Sequence, residues 1–158
     1  MSRVQLALNV DDLDVAVDFY SKLFDTTPAK TRPGYANFAI ENPPLKLVLF
    51  EQPGKGGTIN HLGVEVESTE LVGAAQQRLA TEGLATATEE GVACCYARQD
   101  KVWVDGPSGE PWEIYTVLAD VEMPGGELRT VDPETGAVCC ATVDEEGALV
   151  ASTASACC

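Results

Sequence analysis

His61 is the single histidine of the chain, and with Gln5 and Glu113 it makes up a set of polar residues standing inside otherwise apolar, extended-looking segments. An imidazole, an amide oxygen and a carboxylate together can hold a divalent transition-metal ion while leaving positions open for water, oxygen or a substrate. Each residue alone has a plainer explanation. A lone histidine serves equally well as a hydrogen-bonded group at a sheet edge, and a carboxylate in an apolar strand is better explained, taken singly, by an ion pair with Lys46 or Lys101. The cysteines are the second chemical signal: all six fall in the adjacent pairs Cys94-Cys95, Cys139-Cys140 and Cys157-Cys158. Bridging neighbours would close a small strained ring and remove almost no unfolded-chain entropy, so this is not a disulfide framework. Two adjacent reduced thiols instead chelate one soft, thiophilic ion, and a reducing cytoplasm fits that usage. Any one pair is as well explained by chance, but three pairs with no lone cysteine are not.

An internal repeat positions the first set. Val4-Gln5-Leu6-Ala7-Leu8-Asn9-Val10 matches Asn60-His61-Leu62-Gly63-Val64-Glu65-Val66 at a constant offset of 56, and both segments alternate apolar residues as half-buried strands do. Gln5 is therefore the counterpart of His61, and a pseudo-twofold would bring the two side chains towards each other. Polar caps follow each strand, Asp11 and Asp12 in one copy, Ser68 and Thr69 in the other, and predict a helix after each. The first helix carries an apolar stripe of Leu13, Ala16, Val17, Tyr20, Leu23 and Phe24; the second carries Leu71, Ala74, Ala75 and Leu79 and ends near Gly83. Extended segments follow at Tyr35–Ile40 and Leu45–Phe50, and again at Lys101–Val104 and Trp112–Val117. The halves read as two copies of one βαβββ unit joined by Pro53-Gly54-Lys55-Gly56-Gly57. Glu113 lies on the last of these strands, opposite an approximate counterpart at Leu47, so the first copy lacks a carboxylate there and three ligands remain: Gln5, His61 and Glu113.

With 158 residues, 45% of them hydrophobic, the chain suffices for one domain plus a tail. Its formal net charge of -15 repels nucleic-acid phosphates and anionic membrane surfaces. The apolar runs are far below the roughly 20 residues of a membrane span, and the first ten residues do not read as a secretory signal. From about Ala119 the residues turn small, polar and acidic, the composition of a flexible tail.

The two-copy βαβββ pattern with Gln5, His61 and the Gly106-Pro107-Ser108-Gly109-Glu110-Pro111-Trp112-Glu113 turn and strand resembles the vicinal oxygen chelate superfamily of glyoxalases, bleomycin- and fosfomycin-resistance proteins and extradiol dioxygenases. Gly34–Ile40, Pro44–Leu49, Asn60–Glu65 and the stretch from Cys94-Cys95 to Val104 resemble its carbon-arsenic lyase branch. The resemblance implies an α+β fold of paired βαβββ modules at about residues 1–52 and 58–120, followed by an acidic tail over 121–158 that contains two of the cysteine pairs.

It further implies a non-haem Fe(II), O2-dependent lyase that cleaves trivalent organoarsenicals such as methylarsonous acid and reduced aromatic arsenicals to arsenite. Gln5, His61 and Glu113 would hold the iron, and Cys94 and Cys95 the arsenic of the substrate. Both sulfurs converge only from a loop or bulge, and Thr88–Val92 reads as such a loop, with Gly91 letting it move as a lid. Gln5 departs from the His-His-carboxylate set of extradiol dioxygenases and resembles glyoxalase usage. The modules of this superfamily assemble within one chain or across a homodimer, and both arrangements are open. Tyr35, Tyr96, Trp103 and Trp112 either line the site for aromatic arsenicals or, as is commoner on strands, belong to the core. Lys101 either assists an anionic group or is solvated. Two other functions fit the same residues: a protein sequestering cadmium or arsenite through its thiol pairs, and a glyoxalase or thiol transferase using another divalent metal.

Overall fold

Alternation at period two puts Gln5, Ala7 and Asn9 on one face of strand β1 (Arg3–Val10) and Leu6, Leu8 and Val10 on the other, so the first strand already separates a polar side from an apolar one. In the computed structural model, backbone is described for residues 2–94 and 96–121 and for three strands beyond them; side chains are described for 2–93 and 96–121. The chain forms two compact units, one of residues up to 89 with 100–116, the other of 90–99 with 117–158.

Along the chain β1 leads into helix α1 (Leu13–Phe24), β2 (Lys30–Arg32), β3 (Tyr35–Ile40) and β4 (Leu45–Glu51); β5 (Ile59–Glu65), α2 (Thr69–Thr81), β6 (Ala87–Cys94), β7 (Ala97–Asp105) and β8 (Pro111–Asp120) repeat the sequence of elements. The strand order is β2-β3-β4-β1-β5-β8-β7-β6, the paired βαβββ arrangement expected from the repeat. Asp12 caps α1, its Oδ1 accepting the Val15 N–H at 2.9 Å. The helix packs on the apolar face, where Leu13 meets Val10, Ala36, Phe38, Ile40, Leu47 and Leu49. Leu23, expected on this stripe, is 57% exposed. On α2 the inward positions are Val72 and Leu79, seven residues and two turns apart, rather than Leu71.

β1 pairs antiparallel with β5 so that Leu6 faces Leu62, its own repeat counterpart; the local twofold passes between them. β4 runs parallel beside β1 with Val48 level with Ala7, and β8 parallel beside β5 with Glu113 level with Gly63. Gly63 is the counterpart of Ala7, so the residue matching Glu113 is Val48 rather than Leu47. The one-residue difference decides the face: Leu47 packs under α1, whereas Val48 stands on the side of Gln5.

Thr88–Val92, expected as a loop, lies in β6. As the last strand of the order, β6 has an outer edge that needs no apolar alternation, which is why its polar sequence gives no strand signal. Gly91 takes a positive φ of 61° within it. Cys94 closes the strand, while its side chain and Cys95 lie outside the described residues. In the smaller unit the Val121 N–H donates to the Tyr96 carbonyl at 3.0 Å, and β9 (Arg129–Val131), β10 (Val138–Val143) and β11 (Leu149–Ala151) form a three-stranded antiparallel sheet. The side chains of Cys139 and Cys140, and all of Cys157 and Cys158, lie outside the described residues. Among the described residues no helix is long and apolar enough to cross a membrane.

Candidate metal centre

The sheet face opposite α1 carries the polar residues of the central strands. Gln5 on β1 is level with Gly63 on β5, which is level with Glu113 on β8. Because Gly63 has no side chain, Gln5 and Glu113 meet across it; a Cβ there would stand 3.1 Å from Glu113 Cγ and 3.3 Å from Gln5 Cβ. Gln5 Nε2 lies 2.7 Å from Glu113 Oε1 and 2.9 Å from His61 Nε2, and His61 Nε2 lies 3.3 Å from the same carboxylate oxygen. Two donors held about 2.1 Å from one ion at right angles stand about 3 Å apart, so these separations suit a shared first-row cation. The three residues meet within one chain. Among the described residues no three His, Cys, Asp or Glu side chains cluster as metal ligands; this centre is a histidine, a carboxylate and an amide.

The imidazole is oriented from behind. Nδ1 of His61 lies 2.7 Å from Asn60 Oδ1, an oxygen that can only accept, so the ring proton sits on Nδ1 and the Nε2 lone pair faces the centre. Asn60 Nδ2 donates in turn to Asn9 Oδ1 at 2.9 Å, and Asn9 Nδ2 to Thr58 Oγ1 at 2.9 Å. Two rings stand near the imidazole, Phe50 with its centroid 6.1 Å from that of His61 and Trp103 at 5.6 Å.

Glu113 is 3% exposed. Burial pushes its carboxyl upward, but the charge and hydrogen bond of Lys101 outweigh that and hold it well below the usual carboxylate range. Lys101 Nζ reaches Glu113 Oε2 at 2.9 Å. The ion-pair reading of Glu113 holds through Oε2, with Lys101 as the partner, while Oε1 lies beside Gln5 and His61. Lys101 is buried, which removes the solvated alternative for it. Lys46 pairs elsewhere, with Glu65 at 3.2 Å.

Behind Gln5 lies a second layer of polar contacts. Tyr115 Oη approaches Gln5 Oε1 at 2.5 Å and Glu65 Oε2 at 3.0 Å, and the Arg3 guanidinium clasps both oxygens of Glu65 at 3.1–3.2 Å. Burial and the Glu65 and Glu113 charges push the Tyr115 phenol far upward, so it keeps its proton. Burial pushes Glu65 upward as well, but Lys46 and Arg3 draw it below its ordinary value.

Of the residues singled out from sequence, Gln5, His61 and Glu113 come together; the Cys94 side chain and Cys95 lie outside the described residues. Tyr35 sits against Phe50, centroids 5.6 Å apart, and Trp103 against His61. Trp112 is level with Leu62 and so belongs to the other face. Asn60, Glu65, Tyr115 and Phe50 were not singled out. The signal for Tyr115 was its two-residue spacing from Glu113, and Glu65 stands four residues from His61 on the same alternation.

Residues 3–114 match the family described as Glyoxalase/Bleomycin resistance protein/Dioxygenase superfamily. The chain is 62% identical to the cadmium-induced protein CadI of Mycobacterium tuberculosis strain H37Rv over 89% of its own length and 93% of that protein. It is 54% identical to the trivalent organoarsenical cleaving enzyme of Thermomonospora curvata over the full length of both. Among solved structures, the Mn(II)-bound glyoxalase from Novosphingobium aromaticivorans superposes with a TM-score of 0.56 at 19% identity, over 77% of this chain and 42% of the other.

Proposed function

From the finding that the chain belongs to the glyoxalase/bleomycin resistance protein/dioxygenase superfamily, we propose that it is a metal-dependent enzyme cleaving the carbon–arsenic bond of trivalent organoarsenicals to release arsenite, with O2 as co-substrate. The observation that carries this reading is the convergence of Gln5, His61 and Glu113 on one point of a buried polar face. Full-length similarity to an organoarsenical cleaving enzyme supports the substrate class.

Gln5, His61 and Glu113 would hold Fe(II), which when bound supplies the oxygen chemistry that protein side chains lack. Glu113 brings one negative charge, already ionised and partly balanced by Lys101. His61 brings a neutral ring whose lone pair is aimed by Asn60. Cys94 and Cys95 bind the substrate: each thiol forms an As–S bond to methylarsonous acid as an As–OH bond breaks, and two waters leave. Anchoring arsenic in this way makes the later step effectively intramolecular. Phe50 and Trp103 offer ring faces for an aromatic arsenical and shield the centre from water.

The test is anaerobic Fe(II) loading followed by methylarsonous acid and oxygen, with arsenic speciation as the readout. Arsenite is expected from the wild-type chain and from neither His61→Ala nor Cys95→Ser. Tight arsenic binding without turnover, indifferent to His61→Ala, would make the chain a thiol-based sequestering protein instead.

A further inference from the structure

The orientation of the Gln5 amide does not suit ligation. Its nitrogen, not its oxygen, faces the centre, donating its two protons to His61 Nε2 and Glu113 Oε1. An amide nitrogen of this kind has no lone pair for a cation. The outward oxygen lies against Tyr115, whose single hydroxyl proton has two acceptors within reach, Gln5 Oε1 and Glu65 Oε2. One proton serves only one of them, so in this orientation one oxygen–oxygen contact lacks a hydrogen.

A half-turn about the Cγ–Cδ bond of Gln5 exchanges the two atoms in place. The nitrogen then donates to Tyr115 Oη, the Tyr115 proton goes to Glu65, and every contact in the row carries one hydrogen. Glu65 is a fixed end for that row, because Arg3 and Lys46 hold its carboxylate. The amide oxygen now faces His61 Nε2 and Glu113 Oε1. Three lone-pair-bearing atoms so close together repel one another unless a cation lies between them, so the two orientations belong to the cation-free and cation-loaded states.

We propose that Tyr115, backed by Glu65, is a positioning residue that selects the ligating orientation of the Gln5 amide by accepting a hydrogen bond from its nitrogen. This rests on reading Gln5, His61 and Glu113 as a metal set. It adds a defined role for two residues that touch neither the cation nor the substrate.

The test is a double-mutant cycle on Co(II) binding to the full-length chain, read by visible absorption and calorimetry. Tyr115→Phe is expected to weaken Co(II) binding about tenfold when Gln5 is present, and to cause no further loss in the Gln5→Ala background. Equal losses in both backgrounds, or no loss in either, overturn the proposal. Wild-type Co(II) binding that is absent or indifferent to His61→Ala brings down the metal reading itself, whereas His61-dependent binding that ignores Tyr115→Phe brings down the Tyr115 assignment alone. A second measurement needs no variant. In the 15N-labelled wild-type chain, the side-chain amide protons of Gln5 should give nuclear Overhauser contacts to the His61 ring without metal and to the Tyr115 ring after Zn(II) is added; contacts unchanged by Zn(II) would count against the proposal.

Discussion

Lys101 and Glu113 form an ion pair at 2.9 Å with side chains only 2% and 3% exposed. Glu113 offers its two oxygens to different partners, one to the lysine and one to Gln5 and His61. Lys101 therefore keeps an ionised carboxylate in the interior whether or not the other oxygen has a cation to bind.

Replacing Lys101 by methionine should expose that dependence. Removing one member of a buried pair leaves an uncompensated charge, at a cost of about 3–5 kcal/mol. Urea unfolding of metal-free Lys101→Met should show a loss of that order, and Lys101→Met with Glu113→Gln should recover part of it. A loss no larger than that of an exposed ion pair would mean that the Gln5 amide alone sustains the charge.

Acid should act through the same carboxylate. Glu113 lies below its ordinary value of 4.5 in the folded chain, so as pH falls the unfolded chain takes up the proton first. The stabilising contribution is complete above the unfolded value and is lost as pH descends towards the folded one; Glu65 acts in the same direction. Stability of the metal-free protein should fall progressively as pH descends below about 5, and Glu113→Gln should flatten that slope. An unchanged slope in the variant would assign the acid sensitivity elsewhere.

His61 depends on Asn60 for its tautomer and its aim. Asn60→Ala should weaken Co(II) binding about tenfold while leaving the fold intact, since residues that orient a ligating imidazole carry that much affinity. Titration beside far-ultraviolet circular dichroism checks both halves of the expectation.

Much of this centre was legible because a repeat constrains three dimensions. An offset of 56 with antiparallel pairing forces some residue to face its own copy, here Leu6 and Leu62, and Gln5 and His61 are one position away on either side. The counterpart of Glu113 was misplaced by one residue because turn lengths, not alternation, set the register of β4 and β8. β6 was hidden by its polar sequence. Spacing from Glu113 and His61 places Tyr115 and Glu65 on the polar face, but nothing local joins the Tyr115–Glu65–Arg3 row, since its members come from three strands far apart in sequence.

Gly63 tests whether the close approach of Gln5 and Glu113 matters to the centre. Its counterpart Ala7 carries a methyl without penalty, being wholly buried on the same face. In Gly63→Ala the new carbon would stand 3.1 Å from Glu113 Cγ and 3.3 Å from both Cβ and Nε2 of Gln5, closer than a relaxed contact. Crowding of this kind costs about 1–3 kcal/mol, and here the side chains that must give way are two of the three proposed ligands. The variant should therefore lose Co(II) affinity by a larger factor than Ala7→Gly does, with a modest drop in urea midpoint. Undiminished affinity would mean that Gln5 and Glu113 reach a cation from positions other than those they occupy across Gly63.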